Sequence, residues 1–369
     1  MATIAANLDQ DILEAALPLF NESRIDALEW SFDTLYQVDQ IPGWFTELLE
    51  FYSSNGRLIG HGVYFSLFSG LWSQDQSEWL RKLEQTVIRF PFDHLTEHFG
   101  FMTGKDFHHG APLPIPYNRT TLSIGRDRLN RLAKACQCPV GLENLAFSYS
   151  PQEVKLHGRF LQELVEPVNG FVILDLHNIY CQLKNFEIAY QTLIALYPLQ
   201  LVREIHISGG SWESSSINSE RKIRRDTHDE SVPEEVFQML QQAVPHCPNL
   251  KYVVLEQIGT GLKSVESKAT FYNDFIRMQE IIQAFNESNN NRIKNDFNPS
   301  YHPEEGEVIE DMGLQLQQSQ LSEILESAQN VEEASRRLQQ SSLNHSDWKI
   351  EEWNPYMLET AIRIAQKWA

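Results

Sequence analysis

Short apolar runs alternate with longer segments of helical period through most of the chain. Eight of these runs read as strands: residues 3–8, 27–31, 58–65, 94–101, 140–145, 171–176, 202–207 and 252–257. Between them, residues 77–89, 152–165 and 233–243 repeat apolar positions on one face. Pro233 suits a first helical turn. Strands and helices alternating in this way predict an α/β fold, a (β/α)8 TIM barrel over residues 1–285. Two connections exceed what a barrel needs. Residues 103–120 contain His108, His109 and Pro112-Leu113-Pro114-Ile115-Pro116-Tyr117, and residues 209–232 form the second. Long loops after barrel strands usually shape the active-site face.

The pattern changes after Phe285. Residues 286–311 are rich in Asn, Glu and Pro and read as a linker. Residues 314–327, 331–338 and 355–368 predict helices, with Asn330 and Asn354 as N-caps and Pro355 at a first helical position. The expectation is a small helical C-terminal domain over residues 312–369.

Charge narrows the function. The chain has 30 Lys+Arg against 50 Asp+Glu, a net charge of −20, which argues against a protein that coats nucleic acid. The one dense basic run, residues 221–225, reads as a solvated loop or as a clamp for a carboxylate. Four cysteines, Cys136, Cys138, Cys181 and Cys247, are too few for a disulfide scaffold. No apolar stretch approaches the ~18 residues of a membrane span. Met1-Ala2-Thr3-Ile4 has no basic region followed by an apolar one. These readings predict a cytoplasmic protein.

Metal-ligand residue types recur where the predicted strands end: His61, Glu97 and His98, Glu143 and Asn144, Asp175, His177 and Asn178, His206, and Glu256. Asp226 and His228 lie in the second long loop. The C-terminal ends of barrel strands face one common volume. Carboxylates gathered there unpaired are costly, and a cluster of cations removes the cost. A mixed N/O set suits iron, manganese or zinc. Glu97 precedes His98 and is expected to face away or to act behind the ligands. Cys136 and Cys138 read as helix-end packing.

Gly60-His61-Gly62-Val63, Glu97-His98, Leu113-Pro114-Ile115-Pro116-Tyr117, Glu143-Asn144, Leu174-Asp175 with Asn178, Ile205-His206, Asp226-Thr227-His228-Asp229 and Leu255-Glu256 occur in this order. Together they resemble the multinuclear non-heme iron-dependent oxidative enzymes, a family that includes the catalytic subunit of methanobactin biosynthesis. The resemblance covers residues 3–282. It implies a barrel holding two or three iron ions in a mixed Fe(II)/Fe(III) state, with O2 as co-substrate. His61, His98 and Glu143 would surround one ion, with Glu143 bridging to a second held by Asp175, His206 and Glu256. Asp226, His228 and Asn178 would serve a third. Glu143, Asp175 and Asp226 would be the catalytic carboxylates. The implied substrate is a leader-bearing, ribosomally made peptide modified at Cys, Asn or Asp, commonly with a small partner protein. Residues 312–369 read either as a cap on the barrel or as a fused equivalent of that partner. Departures from the family are His177, where Asn is frequent, and Gly210, where a second His often follows the ligand. After Glu256 the usual acidic residue is replaced by Gln257. The alternative reading is a TIM-barrel hydrolase or sugar isomerase using zinc, manganese or magnesium.

Overall fold

A computed structural model of the chain describes residues 1–38, 40–103, 110–288, 297–301 and 306–367. Among these, eight strands close a parallel barrel: β1 (Ala2–Ala5), β2 (Ala27–Trp30), β3 (Leu58–Gly62), β4 (Leu95–His98), β5 (Val140–Glu143), β6 (Phe171–Asp175), β7 (Val202–Ile207) and β8 (Tyr252–Leu255). Each pairs with the next in sequence, and β8 returns to β1. The expected (β/α)8 TIM barrel is the observed fold. Several strands are shorter than predicted. β1 stops at Ala5, and Asp9 then caps helix α1 (Gln10–Asn21) by accepting from the backbone N–H of Asp11 and Ile12.

The strands read as near-continuous apolar runs because both faces are covered. Leu28, Leu58, Leu95, Leu142, Leu174 and Ile205 belong to the core shared with the helices. The other face lines the barrel interior, where Ala27, Ile59, Tyr252 and Val254 form one small cluster. Phe171 and Ile173 form another with Phe297, so a residue from the expected linker is buried at the N-terminal end of the barrel. Within the loop at residues 209–232, Trp212–Ser214 and Lys222–Arg224 pair as an antiparallel hairpin.

The outer helices include α2 (Gly43–Ser54), α3 (Gln74–Arg89), α4 (Arg119–Cys136), α5 (Pro151–Val165), α6 (Leu176–Phe186), α7 (Glu234–Ala243) and α8 (Val265–Ser288). Three further helices follow: α9 (Met312–Ser327), α10 (Val331–Gln339) and α11 (Pro355–Lys367). They pack on one another and on the barrel loops. Gln318 on α9 accepts from the Gly70 N–H (2.9 Å) and donates to the Phe68 carbonyl (2.7 Å). The Trp353 ring stacks on Tyr149 at 3.7 Å and 7°, and the Asn354 N–H donates to the Tyr149 carbonyl at 2.8 Å.

Gly70 is where backbone meets backbone. A Cβ there would lie 2.5 Å from the Gln315 nitrogen and 2.8 Å from the Asp311 oxygen. Gly70→Ala is therefore expected to lower stability by about 1–3 kcal/mol by pushing α9 off the barrel. Urea unfolding measures this, and a midpoint equal to wild type would show that the contact is loose.

Candidate metal centre

Strand residues two apart face the same way. Counting in twos up the barrel interior therefore ends at Glu29 on β2, His61 on β3, His98 on β4, Glu143 on β5, Asp175 on β6, His206 on β7 and Glu256 just beyond β8. Two groups of donors result at the barrel mouth, each within 4.8 Å: His61, His98 and Glu143, and Glu143, Asp175, His206 and Glu256; a third, Glu29, Glu204 and His206, lies one layer below. Glu143 belongs to both groups at the mouth. Its Oε2 lies 3.5 Å from His61 Nε2 and 3.5 Å from His98 Nε2. Its Oε1 lies 3.8 Å from His206 Nδ1 and accepts from Asn178 Nδ2 at 3.3 Å. His206 Nδ1 lies 3.4 Å from Glu256 Oε2. Ligands about 2.0–2.2 Å from one ion stand roughly 3–3.5 Å from each other, so these spacings suit shared cations.

Hydrogen bonds fix which ring nitrogens face the centre. Thr96 donates its hydroxyl to the Gly60 carbonyl (3.2 Å) and so accepts from His61 Nδ1 (2.8 Å). His98 Nδ1 donates to the Gly62 carbonyl at 3.0 Å. Both rings thus present bare Nε2 atoms, 3.4 Å apart. Burial holds the His61 imidazole well below its ordinary pKa, with His98 adding to the effect, and burial also lowers His98. Two lone pairs beside a carboxylate oxygen form a hole for positive charge. Among the described residues, buried Asp175 Oδ2, Asn178 Oδ1 and His206 Nδ1 have no hydrogen-bond partner, which suits metal-ligand atoms. The donors are N and O; the four cysteines are buried and belong to neither group.

Asp175 is held by Asn144, which accepts from its N–H (2.7 Å) and donates to its carbonyl (3.1 Å). Asp226 Oδ1 lies 2.9 Å from His228 Nε2 and 2.7 Å from His177 Nδ1. His228 Nδ1 lies 3.6 Å from Glu256 Oε1. Asp226 and His228 therefore adjoin the second group, but among the described residues they complete no close group of their own. His177 backs Asp226, and its Nε2 accepts from Arg224 Nε at 3.2 Å. At Gly210 a Cβ would lie 2.3 Å from the Arg225 carbonyl and 3.0 Å from His177, so no side chain fits there and His177 takes the space. Glu97 is buried, with Oε1 accepting from the His98 N–H, and stands outside both groups. Arg221, Arg224 and Arg225 of the basic run are engaged by Glu187, Glu230 and Glu213. His108 and His109 lie outside the described residues.

Sequence reasoning missed the layer below. Glu204 Oε1 and Glu29 Oε2 lie 3.1 and 3.2 Å from His206 Nε2, and Glu204 Oε2 lies 2.7 Å from His94 Nε2. The signal was available, since Glu204 precedes His206 by two residues on the same strand. Also missed was the far wall of the cavity over the donors. That cavity, of about 420 Å³, is bounded by His98, Glu143, Asp226, His228 and Glu256 on one side and by Met357, Thr360 and Ile364 of α11 on the other.

A family profile described as RiPP precursor modification enzyme MbnB/TglH/ChrH matches residues 23–259. The chain belongs to this family. The family's description is of enzymes that modify ribosomally made precursor peptides. Among curated relatives, a UPF0276 protein of Caulobacter vibrioides is 24% identical over 184 residues, 50% of this chain and 62% of the relative. A UPF0276 protein of Psychromonas ingrahamii is 25% identical over 196 residues, 52% of this chain and 66% of the relative. The match thus spans just under two thirds of these relatives' length. Solved structures of similar fold include IolI protein with a bound zinc atom (11% identity, TM-score 0.47, 77% of this chain and 99% of that one). An L-ribulose 3-epimerase is another (12%, TM-score 0.47, 79% and 100%). No helix among the described residues is long and apolar enough to cross a membrane.

The carboxylates predict how metal binding depends on pH. Burial, and then the neighbouring Asp226 charge, raises the Asp175 carboxyl from 3.8 to about 7. Burial also raises Glu143 well above the carboxylate range. His228, although buried, is drawn well upward by Asp226 and Glu256. In the metal-free protein each holds a proton that a cation must displace. Divalent-metal affinity is expected to rise with pH through about 7, where Asp175 loses its proton, and to go on rising for as long as Glu143 and His228 hold theirs, by about tenfold per unit for each proton displaced. Asp175 also gives the metal-free fold a stability that is full below 3.8 and is lost as pH rises to about 7. Chelator competition from pH 5.5 to 8 reads the first effect, and a flat profile would remove these groups from the ligand set.

Proposed function

We propose that this chain is an O2-dependent multinuclear non-heme iron oxidase or oxygenase. It modifies a ribosomally synthesised peptide at a Cys, Asn or Asp side chain or the adjacent backbone. The observation that supports this reading most is the orientation of Glu143, whose two oxygens face two different donor groups. A carboxylate placed so is suited to bridge two ions. His61 and His98 would complete one position, and Asp175, His206 and Glu256 the other. Asp226 and His228, with the unpartnered Asn178 Oδ1, would serve a third. Family membership supports the peptide substrate.

Bound iron would supply electrons to O2 and open coordination positions for a donor atom of the peptide. The chain's own residues set the conditions. Thr96, the Gly62 carbonyl, Glu204 and Glu29 orient the three ligand rings. Asp226 remains charged despite its burial because His228 and His177 lie against it, and it holds His228 towards the cavity. The Asn178 amide donates to Glu143 and to the Asn144 carbonyl, tying β5 to α6 beneath the site. Residues 312–369, in this reading, take the place of the small partner protein and hold the peptide leader.

Protein purified without oxygen from iron-57-fed cells is expected to hold two or three irons per chain, with coupled Fe(II)/Fe(III) signals in Mössbauer spectra. It should consume O2 when given its peptide. Glu143→Ala should remove at least one ion and abolish turnover, because both positions share that residue. Stoichiometric zinc or manganese, with turnover that needs no O2, would overturn the proposal in favour of a hydrolase or isomerase.

A further inference from the structure

The last helix of the chain is a wall of the reaction cavity. Met357, Thr360 and Ile364 are spaced three and four residues apart, which puts them on one face of α11. That face, which Lys367 continues, lines the same cavity as His98, Glu143, Asp226, His228 and Glu256. Leu145, Phe147 and Ile258 continue the same surface from the barrel loops. The Thr360 hydroxyl donates its hydrogen to the Tyr356 carbonyl at 2.9 Å, so it offers no donor to an incoming side chain, and Met357 and Ile364 beside it offer apolar contact.

The wall is fixed in place. The Glu359 carboxylate is only 6% exposed. It accepts from Ser215 Oγ (2.5 Å), Ser216 N–H (2.7 Å) and Ser216 Oγ (2.6 Å), and pairs with Arg363 at 2.6 Å. Arg363 also reaches Glu213 at 2.7 Å, and Glu213 in turn engages Arg225 of the same cavity. The hairpin that follows β7 and helix α11 are thus locked into one piece. A rigid apolar wall facing a cluster of metal-ligand atoms selects among substrates by shape and desolvation.

Resting on the peptide-modification reading above, we infer that Met357, Thr360 and Ile364, with Leu145, Phe147 and Ile258, form a subsite for a bulky apolar side chain next to the residue being modified. The cavity, about 420 Å³, lies within the size range of small-ligand sites and has room beyond one polar side chain at the donors. A charged neighbour placed against these six residues would lose hydration to apolar atoms, although Arg224, Arg225 and Lys367 also line the cavity beside them.

The test uses full-length, iron-loaded, oxygen-free protein and N-acetylated tripeptide amides. The central residue is Cys, Asn or Asp in turn, flanked on both sides by Leu, Gly or Glu. Calorimetry gives the dissociation constants. The Leu-flanked peptide with the best central residue should bind at least tenfold more tightly than its Gly- and Glu-flanked counterparts. Ile364→Glu, at a half-buried position, should reduce that preference to under threefold with iron content unchanged. Phe147→Ala, from the barrel side of the subsite, should weaken the Leu-flanked peptide alone. Equal binding of the three flanks, tighter binding of the Glu-flanked peptide, no binding of any peptide, or a preference that survives both substitutions would each overturn the inference. The two readings fail separately. A Leu preference in a protein that takes up no iron keeps the subsite and removes the oxidase. Iron and O2 uptake without flank preference does the reverse.

Discussion

The Glu143 carboxylate is buried between two bare imidazole nitrogens on one side and a third imidazole with two further carboxylates on the other. Little of that carboxylate reaches solvent, and like charges a few ångströms apart cannot all remain ionised without positive charge among them. The barrel meets that demand only in part. Histidine charge steadies Asp226 and Glu256, the latter held near 2 against the cost of its burial by His228 and His206. Glu143 and Asp175 are left raised by burial. The shortfall in positive charge lies where the two donor groups meet. Cations there turn a costly arrangement into a stabilising one, and the barrel strands, their order and their short C-terminal ends are what hold the carboxylates close enough to need them.

Much of this was legible from residue order. Six strands, β3 to β8, carry a His, Asp or Glu at or next to their C-terminal ends after an apolar run, and the period of two carries that residue to the barrel mouth. The strand limits were less legible, because apolar residues continue past the last ladder bond, as Val63, Tyr64 and Phe65 do after β3. The supporting layer was overlooked although the same period marks it. Glu204 lies two residues before His206, and Glu29 takes the corresponding inward place on β2. The position of α11 could not have been read. Its amphipathic pattern predicts a helix with a buried side, but periodicity does not say which surface buries it, and its partners Ser215 and Ser216 lie some 140 residues away, 144 in the case of the Ser215 bond.

The same long-range contacts change the meaning of the C-terminal segment. Gln318 and the Trp353–Tyr149 stack anchor it at the barrel loops, and Glu359 joins it to the hairpin after β7. A remote tethered domain would need none of these. The hairpin leads directly into Asp226 and His228, so only a short run of chain separates the residues held by α11 from those beside the second donor group.

Below the site, a column of hydrogen bonds sets the proton on His206. Arg203 can only donate, so its Nε–H to His94 Nδ1 (3.1 Å) makes that nitrogen an acceptor. The other His94 nitrogen must then donate to Glu204 Oε2 at 2.7 Å. Glu204 Oε1 is left to accept from His206 Nε2 at 3.1 Å, and Glu29 crowds the same nitrogen at 3.2 Å. With Nε2 facing two carboxylates, His206 keeps its hydrogen on that side and turns Nδ1 towards Glu143 and Glu256. A ring flipped about its axis would put a hydrogen-bearing carbon against two buried carboxyl groups and lose both contacts. Arg203, itself tied to Asp93 at the opposite end of the barrel (2.9 Å), thereby fixes which His206 nitrogen faces the mouth. The polar column through an interior that barrels usually fill with branched apolar side chains is thus explained by the atom it aims.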